Sequence, residues 1–201
     1  MLTNFSYPSY LAACAGAALL LVLAMNRPGH NQQPAPPRHK YGDIFKAPLG
    51  LDAYFDYAEA RTAAQRAGKP LLLVFTGHTA LSALKLEKTV WPDSAILPLL
   101  RAKYVVAQLY VDDSTPLPKA EQRPETSAAR PVKTLGDKWS SFEISRFHAN
   151  YQPFYVVLNP TTEKPLVAPI DIVAGSYDTA NIASLLQRGL AAMPQGKAKT
   201  E

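Results

Sequence analysis

The chain has 201 residues, of which 47% are hydrophobic and 18% charged, and this composition excludes a wholly disordered protein. The net charge of +5 is mild, and no cluster of basic and aromatic residues or glycine-rich phosphate loop indicates nucleic acid or nucleotide binding. The only cysteine is Cys14, which excludes an intrachain disulfide, a Cys-x-x-Cys pair and a cysteine-based zinc site. We therefore predict no metal and no cofactor.

The amino terminus is predicted to be a membrane anchor over residues 1–26. It has no charged side chain, and its apolar part, extended back to Phe5, reaches the roughly 20 residues that cross a bilayer. A buried soluble helix and a cleaved signal peptide are alternatives. The stretch Leu11-Ala12-Ala13-Cys14 is similar to a bacterial lipoprotein cleavage box, so lipidation of Cys14 is a further alternative.

A proline-rich stretch over residues 27–47 follows, and its composition is typical of an extended tether. A folded head is predicted over residues 48–191, and a polar tail over 192–201. The basic residues after the anchor favour a cytoplasmic head by the positive-inside rule.

The first half of the head reads as a helix, a strand and a second helix. Asp56 is a predicted N-cap, and Gly68 ends that helix. The continuous apolar run 71–75 predicts a strand that is buried on both faces. A turn over 76–79 leads to a helix over 80–89, with Leu81 and Leu84 expected to face inward.

The second half continues with a strand over 104–111 and an insertion loop over 112–137, in which prolines recur. A helix is predicted from Lys138, then a strand over 153–158 and a short partner strand over 165–168. Asp178 is expected to cap the last helix. This order predicts an α/β fold with a mixed central sheet flanked by helices, which is the order of the thioredoxin fold.

Several local motifs recur together along the head, and as a set they are specific. They are Tyr54-Phe55-Asp56-Tyr57, Gly68-Lys69-Pro70, Phe75-Thr76-Gly77, Glu87 with Val90-Trp91, Leu109-Tyr110-Val111-Asp112-Asp113, Gly136-Asp137-Lys138-Trp139-Ser140 and Gln152-Pro153-Phe154-Tyr155-Val156. From Pro48 to Leu190 the chain resembles the carboxyl-terminal thioredoxin-like domain of DsbD-type thiol:disulfide interchange proteins, in the form found in Bacteroidetes-like bacteria. The resemblance implies a periplasmic head that passes reducing equivalents to partners.

The sequence departs from that family at the reaction centre. Where the family has its two cysteines, this chain has Ala80 and Ala83, and where the family has a buried acid it has Val74. Disulfide exchange needs a thiolate, which a methyl group cannot replace. Because an unpaired buried carboxylate is destabilising, an aliphatic residue at position 74 fits the loss of both thiols. We therefore expect no dithiol redox activity and assign no catalytic residue.

The resemblance leaves a partner-binding groove as the candidate site. Gln152-Pro153 matches the family's cis-proline position, and an ordinary trans proline is the alternative. An extended chain pairs with backbone groups without needing a thiol. The predicted groove consists of Gly77, His78, Thr79, Ala80, Gln152 and Pro153.

Other polar residues have simpler interpretations. His78 and His148 lie in loops that approach each other in a thioredoxin fold, but two histidines alone make an incomplete metal site. Asp112 and Asp113 follow a strand, where carboxylates usually cap a turn.

The leading functional hypothesis is a single-pass bacterial inner-membrane protein whose redox-inactive head binds a protein or peptide partner in the cell envelope. A first alternative is an accessory component of a thiol:disulfide reductase or cytochrome c biogenesis system, with cysteines supplied by a partner. A second is a structural envelope subunit that makes contacts through the insertion loop. The resemblance favours a periplasmic head, against the charge distribution.

Overall fold

The computed structural model describes residues 39–124, 126, 130–171 and 178–194, without the side chains of 170 and 171. The predicted anchor, Cys14, most of the tether and the end of the polar tail lie outside these residues. Among the helices that are described, none combines the length and apolar character needed to cross a membrane.

The described chain forms a five-stranded sheet with helices on both faces, as predicted. Its strands are β1 (Ala53–Tyr54), β2 (Leu71–Thr76), β3 (Val105–Tyr110), β4 (Phe154–Leu158) and β5 (Ile170–Asp171). Its α-helices are α1 (Tyr57–Ala67), α2 (Leu81–Thr89), α3 (Leu97–Ala102), α4 (Leu135–Phe147) and α5 (Thr179–Ala192). Single 3-10 turns lie at Pro48–Gly50 and Lys119–Glu121.

The sheet order is β1-β3-β2-β4-β5, with β1, β3 and β2 parallel and β4 and β5 antiparallel to their neighbours. Strand β2 is buried along its whole length because cores lie on both of its faces. Leu72 and Val74 belong to the core under α2 and α5, whereas Leu71, Leu73 and Phe75 belong to the core under α1 and α4.

The helix caps follow local sequence. The Asp56 side chain accepts hydrogen bonds from two backbone N–H groups of α1, and Gly68 ends that helix at a φ of 62°. Asp178 caps α5 in the same way. Helix α4 begins at Leu135, earlier than the predicted Lys138, because Thr134 and Asp137 form a reciprocal capping box.

Two sequence-based predictions about side chains and pairing are wrong. Leu81 is 79% exposed and Leu84 is 37% exposed, because the buried face of α2 carries Ala83, Leu86 and Glu87 instead. The segment 165–168 makes only an isolated bridge from Pro165 to Leu158, and β5 pairs further along the chain. Two backbone hydrogen bonds flank that bridge, from the Asn159 N–H to the Lys164 carbonyl and from the Leu166 N–H to the Val157 carbonyl.

Candidate functional site

The loop between β2 and α2, Gly77–Ala80, is held by a carboxylate from the end of β3. The two oxygens of Asp112 accept hydrogen bonds from the His78 N–H at 2.8 Å and from the Thr79 N–H at 3.1 Å. The Thr79 hydroxyl donates a third bond, also at 3.1 Å. A Cβ at Gly77 would lie 2.8 Å from Asp112 Oδ2, so only glycine admits the carboxylate here.

The charge on Asp112 is stabilised by this arrangement. Burial raises its pKa, but the hydrogen bonds from His78 and Thr79 outweigh burial, and the net pKa lies below the ordinary value. The hydrogen bonds therefore favour the ionised form of Asp112, which connects the segments that follow two adjacent parallel strands.

His78 is docked against the next residue along β3. Its Nε2 lies 2.8 Å from Oδ2 of the buried Asp113, which also accepts a hydrogen bond from the Thr115 N–H. Although burial raises the pKa of Asp113, the hydrogen bonds from Thr115 and His78 outweigh burial, and the net pKa of Asp113 lies below the ordinary value. The imidazole packs 4.8 Å from the Tyr110 ring.

The first turn of α2 presents methyl groups. Ala80 is the N-cap, with no side-chain hydrogen bond to the helix, and it is half-buried. Ala83 is buried one turn later, and Val74 lies in the core beneath the same helix. These three side chains offer no nucleophile, general base or metal ligand.

The segment before β4 lies next to this loop. Phe75 pairs with Phe154 in antiparallel register, which places Pro153 opposite Thr76 at the end of β2. The Gln152–Pro153 peptide bond is cis, as the resemblance implied. The sheet therefore brings the predicted groove residues of both segments to the same end of the sheet, where β2 ends and β4 begins.

Glu143 on α4 anchors this cis-proline segment, and sequence analysis missed it. Its side chain is fully buried, and its oxygens accept bonds from the Tyr151 N–H at 3.2 Å and from Gln152 Nε2 at 2.9 Å. Burial raises the pKa of Glu143 to about 7, although both hydrogen bonds act in the opposite direction. The helical spacing of Leu135, Trp139 and Glu143 was an available signal, since it places all three on one face.

A second buried acid lies on α2. Glu87 accepts a 2.7 Å hydrogen bond from Gln108 Nε2, and Gln108 is the β3 neighbour of Val74. Burial raises the pKa of Glu87, and the bond from Gln108 opposes that rise. The chain therefore has a buried carboxyl group between α2 and the sheet, but it belongs to Glu87 of the helix and not to position 74 of β2.

The two histidines do not form a metal site. His148 ends α4 at a positive φ of 55°, whereas His78 is paired with Asp113. Within the described part of the chain, no three His, Cys, Asp or Glu side chains are placed to hold a metal ion.

Comparisons with known proteins identify the domain. A family model described as thioredoxin-like matches residues 52–160, which is more than half of the chain. No curated protein matches the sequence significantly. A thioredoxin from Thermus thermophilus has 20% sequence identity and a TM-score of 0.45, covering 68% of this chain and 85% of its own. A protein described as DsbH oxidoreductase has 18% identity and a TM-score of 0.43, covering 78% of this chain and 92% of its own. The chain belongs to the thioredoxin-like family.

Proposed function

We propose that this protein is a membrane-anchored member of the DsbD-type group whose head binds a protein or peptide partner without exchanging dithiols. Its main support is the contrast between a complete scaffold and an unreactive centre. The cis-proline segment and the 77–80 loop lie at the same end of the sheet, yet Ala80 and Ala83 carry only methyl groups there.

Exposed apolar side chains support a binding role for this end of the sheet. Leu81, in the first turn of α2, is 79% exposed, and Leu84 and Tyr151 are each more than a third exposed. Large apolar side chains on a surface favour contact with another protein when they cluster at a groove. Leu81 and Leu84 flank the former reaction centre, and Tyr151 lies two residues before Pro153.

The partner we propose is an extended polypeptide. Backbone groups beside the start of a strand can pair with an added chain, and apolar side chains beside them provide pockets for alternate residues. Membrane attachment through residues 1–26 and a periplasmic head complete the proposal. The first rests on the apolar sequence pattern, and the second rests on the resemblance to DsbD-type proteins, against the charge distribution. An accessory role with cysteines supplied in trans remains the second candidate, since the groove would be used in both cases.

The absence of redox activity is tested with engineered cysteines. The full-length chain, with Cys14→Ser to remove its only native thiol, should not reduce insulin under conditions in which thioredoxin does. Ala80→Cys with Ala83→Cys places two thiols at the start of α2, where helical spacing brings Cα atoms within disulfide range. We expect this double variant to form an internal bridge, detected by mass spectrometry after thiol alkylation.

Adding Val74→Asp to the double variant is expected to give measurable insulin reduction, because a buried acid can accept the proton of the second thiol. If the folded double variant forms no bridge, the assignment of the reaction centre is wrong. Insulin reduction by the Cys14→Ser chain itself would overturn the inactive-domain proposal.

Partner binding is tested by site-specific crosslinking in intact cells of the source organism. A photoreactive residue at Leu81 should give one or a few discrete protein adducts. The matched control is Leu49, which is also exposed and apolar but lies before β1, at the opposite end of the sheet. Equal adducts from both positions, or none from Leu81, would contradict the groove proposal.

A further inference from the structure

A cleft of about 350 Å³ lies between the start of α1 and the exposed side of α4, and it shares no lining residue with the predicted groove. Its walls include the side chains of Tyr57, Trp139 and Phe142. The Tyr57 and Phe142 rings are 4.7 Å apart between centroids, so one wall is a continuous aromatic surface. This volume is at the small end of the range of ligand sites, which is roughly 300–1,000 Å³.

Among the residues that the structure describes, the charges around the cleft are matched with one exception. Lys138 lies 2.8 Å from Glu121 and 3.7 Å from Asp56, and Asp56 also pairs with Lys40. The Tyr57 hydroxyl donates to Glu163 at 2.6 Å. These groups are therefore satisfied within the protein.

Arg123 is the exception. Among the described residues it has no carboxylate within ion-pair distance, and its guanidinium makes only a long contact of 3.4 Å with the Ser141 hydroxyl. A guanidinium presents a fork of five N–H donors, which matches the two oxygens of a carboxylate. The cleft thus combines an aromatic wall with an unmatched cation at its edge.

We propose that this cleft binds a small monoanion: a carboxylate, held by Arg123, attached to an aromatic body that packs against the wall formed by Tyr57 and Phe142. The hydroxyl group of Ser141, which accepts from Arg123, also lines the cleft and can donate to the carboxylate. Because the cleft and the groove share no lining residue, this proposal stands whether or not the groove binds a partner.

The test is an NMR titration of the full-length protein with phenylacetate and, as a neutral probe of the same shape, phenylacetamide. We expect phenylacetate to shift the Trp139 indole N–H resonance saturably and phenylacetamide to bind about tenfold more weakly, because it lacks the charge-assisted hydrogen bonds. Equal affinities for the two probes, or no saturable shift with either, would overturn the proposal.

Variants locate the charge that is responsible. Arg123→Ala should weaken phenylacetate binding about tenfold and leave the weaker phenylacetamide binding unchanged. The control is Lys119→Ala, which removes an equal charge from the same loop but not from the cleft, and it should leave both affinities unchanged. Equal losses in the two variants would mean that net charge, and not a site at Arg123, attracts the anion. If Arg123→Ala does not fold, the comparison of phenylacetate with phenylacetamide still tests the proposal, because it uses the protein without substitutions.

Discussion

Replacing Gly136 with alanine is expected to lower the free energy of unfolding by about 3 kcal/mol, at the upper end for an overpacked site. An added Cβ would lie 2.7 Å from the Asp113 nitrogen, 2.8 Å from the Asp113 oxygen and 2.8 Å from the Val111 oxygen. All three are backbone atoms, which cannot move aside as a flexible side chain can. Chemical denaturation with urea measures the change.

The sign of this effect makes the experiment decisive. Gly136 lies in the first turn of α4, and helix propensity alone predicts that Gly→Ala stabilises a helix by about 1 kcal/mol. Ser145→Ala, at an exposed position of the same helix, is the control and should change stability by less than about 0.5 kcal/mol. A Gly136→Ala protein as stable as the original would show that α4 does not approach the end of β3 so closely.

Glu143 is expected to make the protein less stable as the pH rises from about 4.5 to about 7. Its pKa is 4.5 in a model peptide and about 7 in the fold, so the folded state holds a proton that the unfolded state has released. The penalty is absent below the unfolded pKa and complete above the folded one, where it reaches up to about 3 kcal/mol. Urea denaturation of the original protein and of Glu143→Gln, at several pH values, gives the difference.

Glutamine keeps the shape and one acceptor oxygen but cannot ionise. We therefore expect Glu143→Gln to gain stability relative to the original protein as the pH rises through this window, and to match its pH dependence outside the window. Glu121→Gln is the control, because the hydrogen bond from Lys138 lowers the pKa of Glu121, so its contribution to stability changes below about pH 4.5 and is constant within this window. A stability difference for Glu143→Gln that is constant between pH 4.5 and 8 would contradict a buried, titrating Glu143.

The parts of the fold that could be predicted depend on short-range rules. Asp56 and Asp178 cap helices that follow them directly, and the continuous apolar run of β2, bounded by Pro70 and Gly77, favours a buried strand. Strand β1 could not be predicted because two residues show no periodicity. The early start of α4 needed the Thr134–Asp137 pair to be recognised as a cap, although it lies in a stretch that resembles a loop.

The candidate site was predictable only in part. The loop and the cis proline were predicted from a resemblance, and the register of β2 and β4 brings them to the same end of the sheet. Glu143 contacts residues eight and nine positions further along the chain, and no local rule gives that contact. The outward orientation of Leu81 depends on which face of α2 meets the sheet, which is a tertiary property.

The hydrogen bonds that Asp112 accepts affect the entropy change of any binding event at the 77–80 loop. Three hydrogen bonds hold residues 78 and 79 in place before any other molecule arrives. The loss of conformational entropy in this loop is therefore incurred when the domain folds, and a molecule that docks there does not have to order it. Docking at this loop would therefore be nearly rigid-body, with little rearrangement of residues 78 and 79 between the free and bound forms.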